Sequence, residues 1–221
     1  MADNALSDNV VVIGLGRFGG AVAGALQDLG HEVLGIDTDP KLVQEWSERL
    51  THVAEADATD EEALRQLGVP DFGHAVVGIG THIEQSVLTV LALAEVGVHE
   101  IWAKAISAKH GKILSSVGAT HVIFPESAMG DRVAHLITSR MIDFIEFDDD
   151  FAIAKTRAPR AAAGRTLGEL GLRREFGVTV VGVKEPGKDF AYATADTPIR
   201  PGATLIVSGP TAKVQRFAAT T

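Results

Sequence analysis

The sequence predicts an α/β protein in which a doubly wound parallel sheet is followed by a small α+β module. Three observations carry that prediction. An apolar run, Val10-Val11-Val12-Ile13, enters Gly14-Leu15-Gly16-Arg17-Phe18-Gly19, and a second run, Val33-Leu34-Gly35-Ile36, ends in Asp37. Apolar strand patterns then alternate with helical stretches as far as Pro125, as in a parallel sheet covered by helices on both faces. Beyond Pro125 the pattern changes to short strands separated by Gly/Pro turns.

The first strand, Val10–Ile13, leads into G-x-G-x-x-G, and each glycine has a task. Gly14 permits the tight turn out of the strand. Gly16 lets backbone N–H groups approach a phosphate, and Gly19 lets the helix pack close to the sheet. The phosphate would sit at the positive end of a helix over Phe18–Leu29. Asp37 arrives about 20 residues after the glycines, where a carboxylate can accept both hydroxyls of a ribose. Strand, helix and acid in this order predict a Rossmann-like nucleotide-binding unit. A glycine-rich turn without a ligand explains the glycines but not Asp37. Arg17, one step after the phosphate-contacting glycine, adds a bidentate donor for phosphate oxygens and favours ADP or ATP over NAD. The competing reading leaves Arg17 in solvent or paired with an acid.

The remaining strands of this sheet are expected over Thr51–Ala54, Ala75–Gly78, Ile101–Ala105 and Val122–Phe124. Helices are expected over Leu42–Leu50, Glu61–Leu67, Ile83–Val96 and Lys109–Val117. Pro40 suits the first turn of a helix, where its missing N–H would be unpaired anyway. Gly30, Gly68, Gly97 and Gly118 stand just past helices, where a left-handed cap is wanted. Residues 1–8 read as a disordered lead-in, 9–126 as the nucleotide-binding domain, 127–146 as a crossover helix and linker, and 147–221 as the second module. The stretch Ala128–Ile142 is helical, with Val133, Leu136, Ile137 and Met141 near the helical period. The acidic run Glu146-Phe147-Asp148-Asp149-Asp150 reads as a boundary. Strands follow over Phe151–Lys155, Val178–Val183 and Leu205–Val207, with one short helix over Leu167–Leu170 and turns at Glu185-Pro186-Gly187 and Arg200-Pro201-Gly202. A module of about 70 residues is near the lower size for an independent core, so a partner surface is expected.

Bulk properties exclude several functions. The chain has 221 residues, a formal net charge of −9 and 46% hydrophobic residues, so it lacks the basic footprint of a nucleic-acid binder. It contains no cysteine, which removes disulfides, thiolate zinc sites and cysteine nucleophiles. The N-terminal residues lack the basic and apolar regions of a signal peptide, and no stretch is apolar for long enough to span a membrane. The histidines, His31, His52, His74, His82, His99, His110, His121 and His135, are scattered, are expected mostly at solvated loops and helix ends, and show no i, i+4 metal spacing. All of them are expected in the first domain and none in the second, where Lys155, Lys184, Lys188 and Lys213 read as exposed. The sequence thus offers a nucleotide site without catalytic machinery around it.

Several blocks resemble the RCK domains, regulators of potassium conductance that form cytosolic regulatory subunits of Ktr/Trk potassium-uptake systems. The glycine loop Gly14–Gly19 is one of them. Ala56-Asp57-Ala58-Thr59-Asp60 is similar to the family's G-D-A-T-D segment, with Ala56 in place of glycine. Ala103-Lys104-Ala105 and Gly118-Ala119-Thr120-His121-Val122-Ile123-Phe124-Pro125-Glu126 resemble its A-K-A and G-A-x-x-V-I-x-P-E blocks. Gly164-Arg165-Thr166-Leu167-Gly168-Glu169-Leu170 resembles the G-K-T-L-x-E-L of the C-terminal RCK module, so the resemblance runs from about Val10 to Gly209.

The resemblance implies a regulatory subunit rather than an enzyme. Such subunits form an octameric ring built from dimers beneath an integral-membrane potassium-translocating subunit. They are cytoplasmic, at the inner face of the plasma membrane. ATP and ADP favour different ring shapes, which gate potassium flux. By this resemblance Gly14, Gly16, Arg17, Phe18 and Gly19 lie at the phosphates, Asp37 and Thr38 at the ribose, and Asp57 and Ala58 near the base. Gly78, Ile79 and Gly80 line the pocket after the fourth strand, and Lys104 lies near the phosphates. Glu126 reaches a divalent cation, Mg²⁺ or Ca²⁺, at the subunit interface. Strand C-termini face the ligand crevice, so Glu126 can approach polyphosphate only across a cation; the plainer role is to complement a helix dipole. Thr38-Asp39 departs from the asparagine or lysine common after the ribose acid, which leaves nucleotide preference open, and Gly202-Ala203 replaces a late G-D turn. In related proteins the C-terminal module binds a cyclic dinucleotide. Arg173-Arg174 could contact such an anion, although an exposed basic pair is the commoner situation. The alternatives are an NAD(H)-binding redox sensor, an NAD-dependent oxidoreductase, and a nucleotide sensor with a soluble partner.

Overall fold

The computed structural model describes residues 9–147 and 150–221, so the expected lead-in, residues 1–8, and Asp148-Asp149 of the acidic run lie outside the described residues. The chain divides into two compact units, one ending at Glu126 and the other covering Ser127–Thr221.

The first unit alternates strand and helix. Its elements are β1 (Val10–Ile13), α1 (Arg17–Asp28), β2 (Val33–Asp37), α2 (Pro40–Ser47), β3 (His52–Glu55), α3 (Glu61–Gln66), β4 (His74–Val77), α4 (Ile83–Glu95), β5 (Glu100–Lys104), α5 (Ala108–Ser116) and β6 (His121–Ile123). The strands form one parallel sheet of six in the order β3-β2-β1-β4-β5-β6. Successive residues of β1 enter opposite cores, as the pleat requires. Val11 and Ile13 join Leu64, Leu93 and Leu114 on one face, and Val10 and Val12 join Ala23 and Trp46 on the other. Each such fully buried aliphatic side chain contributes about 1.5–3 kcal/mol relative to exposure. Helix starts are fixed locally. Asp39 accepts from the Lys41 amide with Pro40 in the first turn, Asp60 accepts from the Glu62 amide, and Ser107 accepts from the His110 amide. Strand order reverses between β1 and β4, which is where this class of fold opens its ligand crevice.

The second unit is built on an antiparallel sheet of five strands in the order β10-β9-β11-β8-β7. Helix α6 (Pro125–Thr138) comes before it. It comprises β7 (Met141–Phe147), β8 (Phe151–Arg157), α7 (Leu167–Leu170), α8 (Leu172–Phe176), β9 (Thr179–Lys184), β10 (Phe190–Tyr192), β11 (Thr204–Pro210) and α9 (Thr211–Ala218). Alternate residues of β11, Leu205 and Val207, meet Val214 and Phe217 of α9 in its core. A reciprocal capping box between Thr166 and Glu169 starts α7.

Several expectations are corrected here. The helix expected to reach Ile142 ends at Thr138, and Met141–Phe147 is a strand paired with β8. Phe147 and Phe151 are partners in that pairing and both belong to the second unit, so the division between the units falls after Glu126 rather than at residues 146–150. His110 is not at a solvated surface: it is 1% exposed inside α5. His135 belongs to the second unit, not the first, and there its ring packs at a tilt against Phe144 and hydrogen-bonds Gln215.

Candidate nucleotide site

The crevice over the C-terminal ends of the parallel strands holds a cavity of about 670 Å³. Its geometry begins with close backbone packing. Gly14 has φ +86°, the left-handed region that the sharp exit from β1 requires. A Cβ on Gly19 would stand 1.8 Å from the Gly14 carbonyl oxygen, and one on Gly78 would stand 2.9 Å from the same atom. Those glycines let α1 and β4 close on the loop. Gly16 is different: it has an ordinary φ of −63°, and among the described residues a Cβ there would meet no packed neighbour within 4 Å. The space before Gly16 therefore is not filled by protein packing. Gly16 is also the N-cap of α1, with no side-chain cap and no acid in the first turn, which leaves free N–H groups and the positive helix end facing the crevice.

Charged side chains divide the cavity into two ends. At the β2 end, the two oxygens of Asp37 accept hydrogen bonds from the Leu15 amide at 2.6 Å and from the Asp39 amide at 2.9 Å. The acid thus anchors the glycine turn, a task separate from the ribose contact expected of it. At the β5–β6 end, the Lys104 ammonium donates to a Glu126 carboxylate oxygen at 2.6 Å and lies 5.6 Å from the centre of the Phe18 ring. The Lys104 side chain is 13% exposed and that of Glu126 is 69% exposed. This hydrogen bond, followed by one from the backbone and by the charges of Lys104 and Arg17, holds the Glu126 carboxyl below the usual carboxylate range. Arg17 is exposed and, among the described residues, makes no hydrogen bond or ion pair.

The cavity brings together Gly14, Gly16, Arg17, Phe18, Asp37, Thr38, Ala58, Gly78, Ile79, Gly80, Lys104 and Glu126 from the residues expected at the site. It does not include Gly19, whose place is in the packing beneath it. Asp57 is also outside: it accepts from the amide and hydroxyl of Thr59 and lines a neighbouring depression with Glu84 and Leu88. Sequence reasoning missed Thr81, His82, Gln85 and Ile106 on the wall. The first three follow β4 and open α4, and their place after a strand end was the available signal. Among the described residues no three histidine or acidic side chains converge on a cation position. Glu126 is a single carboxylate, and a divalent cation there would need phosphate oxygens to complete its shell.

A second cavity of about 660 Å³ lies in the second unit, between α7, α8 and β9. Arg173 and Arg174 both line it, and the Arg173 guanidinium donates to the Thr179 hydroxyl at 3.1 and 3.2 Å. Among the described residues, no helix is long and apolar enough to cross a membrane.

Comparison with known proteins agrees with this architecture. Residues 10–125 match the TrkA-N domain and residues 153–220 the TrkA-C domain. The chain is 37% identical over 207 residues to Ktr system potassium uptake protein C of Bacillus subtilis, covering 93% of this chain and 94% of that protein. It is 33% identical over 207 residues to Ktr system potassium uptake protein A of the same organism, covering 93% of both. The GsuK channel bound to NAD has the same fold, with a TM-score of 0.64 at 18% identity over 98% of this chain, which spans 40% of that channel chain. Glycine-loop crevice, antiparallel second module and both domain matches place the chain in one family: it belongs to the RCK regulatory subunits of Ktr/Trk-type potassium uptake systems.

Proposed function

We propose that this chain senses adenine nucleotides and, as a ring of identical copies, gates an integral-membrane potassium-translocating partner. The observation that carries the reading is the phosphate end of the crevice. The free helix end, the open space at Gly16 and the unpaired Arg17 together suit a short polyphosphate. Such a domain acts by binding two conformations with different affinity, in keeping with relatives described as potassium uptake proteins rather than as catalysts. The subunit would work at the inner face of the plasma membrane through its partner. A divalent cation, Mg²⁺ or Ca²⁺, would be held by Glu126 together with phosphate oxygens.

The exposed face of α6 supports assembly. None of its residues is buried, and Met129, Val133 and Ile137 form one apolar stripe at helical spacing, 53%, 43% and 79% exposed. A homo-octamer built from dimers would cover it. The second cavity, with its two arginines, suits a cyclic dinucleotide.

An NAD(H) sensor is the second reading, because GsuK has been solved bound to NAD as well as to ADP. Native mass spectrometry of the protein as purified reports subunit number and retained nucleotide together. Calorimetry then ranks the ligands, with ATP and ADP expected to bind more tightly than NAD. Arg17→Ala is expected to weaken ATP by roughly 1–3 kcal/mol and AMP much less. A monomer at micromolar concentration overturns the ring, equal losses for ATP and AMP overturn the phosphate role of Arg17, and tighter NAD binding selects the second reading.

A further inference from the structure

The ion pair at the β5–β6 end of the crevice has a consequence for ligand choice, which rests on the nucleotide reading above. Lys104 is the sheltered partner, and among the described residues its ammonium has one hydrogen-bond acceptor, Glu126. Its stem runs close over Gly80, where a Cβ would come within 3.1 Å of Lys104 Cε. Glu126 is the exposed partner and can leave with little loss of packing. A sheltered ammonium stripped of its acceptor is costly, whereas exchanging a carboxylate oxygen for a phosphate oxygen keeps its hydrogen bond. A carboxylate left beside phosphate would repel it.

We infer that Lys104 and Glu126 form a resident ion pair that the distal phosphates of a nucleotide must break, so that Glu126 sets how strongly the crevice discriminates by phosphate number. Glu126 occupies Lys104 in the empty site, and only a ligand whose phosphate chain reaches the β5–β6 end replaces it. AMP leaves the pair intact, while ATP exchanges with Glu126.

The test is a set of calorimetric titrations of the full chain with AMP and ATP in EDTA, so that no divalent cation takes part. Glu126→Gln is expected to tighten ATP about tenfold and leave AMP within about twofold. Lys104→Met keeps the stem and loses the charge; it is expected to weaken ATP about tenfold. In the Lys104→Met background, Glu126→Gln is expected to change ATP affinity by less than about threefold, because the carboxylate no longer has a cation to release. Thermal unfolding of each variant confirms that it is folded. Unchanged or weaker ATP binding in Glu126→Gln overturns the inference. So does a gain equally large without Lys104, which would mean simple repulsion without exchange. A parent protein that binds neither AMP nor ATP overturns the nucleotide reading itself, a result distinct from these.

Discussion

The two cavities have nearly the same volume, about 670 and 660 Å³, yet they are made differently. The first is built by backbone. Its shape depends on glycines packed against one another at the ends of parallel strands, and three of its charges, Asp37, Lys104 and Glu126, are hydrogen-bonded within the protein while Arg17, among the described residues, is not. The second lies between two helices of four and five residues and a strand, and its walls are side chains such as Leu167, Leu172 and Val180. A site made by backbone contact tolerates almost no added atom, while one made by side chains can adjust rotamers. The comparison teaches that equal space does not mean equal tolerance.

The largest expected effect breaks the first cavity and spares the second. Gly19→Ala places a methyl group 1.8 Å from the Gly14 carbonyl oxygen, so the loop or α1 must move. Overpacking of this kind costs on the order of 3 kcal/mol, and the unfolding midpoint is expected to fall by roughly 10 °C with loss of nucleotide binding. Gly168→Ala, at the rim of the second cavity, brings its Cβ no closer than 3.1 Å to the Ala195 carbonyl oxygen. Its midpoint is expected to stay within about 3 °C of the parent, since the helix gains from alanine what the contact loses. Similar shifts in the two variants would erase the distinction between the cavities.

A smaller effect sharpens the role of charge in the first cavity. Asp37→Asn keeps an acceptor oxygen for the glycine turn but removes the charge that favours ribose hydroxyls. ATP, ADP and AMP are expected to weaken by one common factor of about tenfold, roughly 1.4 kcal/mol, since all three carry the same sugar. Calorimetry with the three nucleotides checks this. The parent protein should bind NADP poorly, because Asp37 repels a 2′-phosphate; tight NADP binding would count against the assignment.

The smallest effect depends on pH. Burial lowers the pKa of His110 from its ordinary 6.5. The folded chain therefore keeps the ring neutral at pH values where the unfolded chain takes up a proton. The stability it contributes is complete above about pH 6.5 and declines as pH falls toward the lower folded value. A drop of a few degrees in the unfolding midpoint between about pH 7.5 and 5.5 is expected, and His110→Leu should flatten that part of the profile. A profile unchanged in His110→Leu would assign the sensitivity to other groups.

Much of the first unit was legible in the sequence because its central strands β1, β2 and β4 are apolar on both faces and several of its helices end at glycines with positive φ, 90° at Gly30 and 94° at Gly97. The second unit was less legible. Strand β7 follows a helix whose apolar spacing runs into it, and Ile142, Ile145 and Phe147 are exposed, so no inward-outward alternation marks it as a strand. Strand β10 is three exposed residues, and α9 starts directly after β11 with no side-chain cap. At the site, spacing pointed to the glycine loop and Asp37, and the family resemblance to Lys104 and Glu126, but neither could reveal that the last two pair with each other. That contact joins the last residue of β5 to the first turn of α6, and only their three-dimensional placement creates it. The burial of His110 was invisible for the same reason, since a histidine in a helix carries no mark of which face it presents.

Asp37 joins two pieces of chain that are far apart in sequence, the turn at Leu15 and the start of the next loop at Asp39. Both amides donate to the same carboxylate, so they share its fate. Opening the glycine turn frees the acid, and drawing the acid toward a sugar tugs on the turn. The rates at which the Leu15 and Asp39 amide hydrogens exchange with solvent therefore report on one anchor. On the nucleotide reading proposed above, they would form a gauge, built into the backbone, of whether a nucleoside occupies the crevice, whatever the number of phosphates it carries.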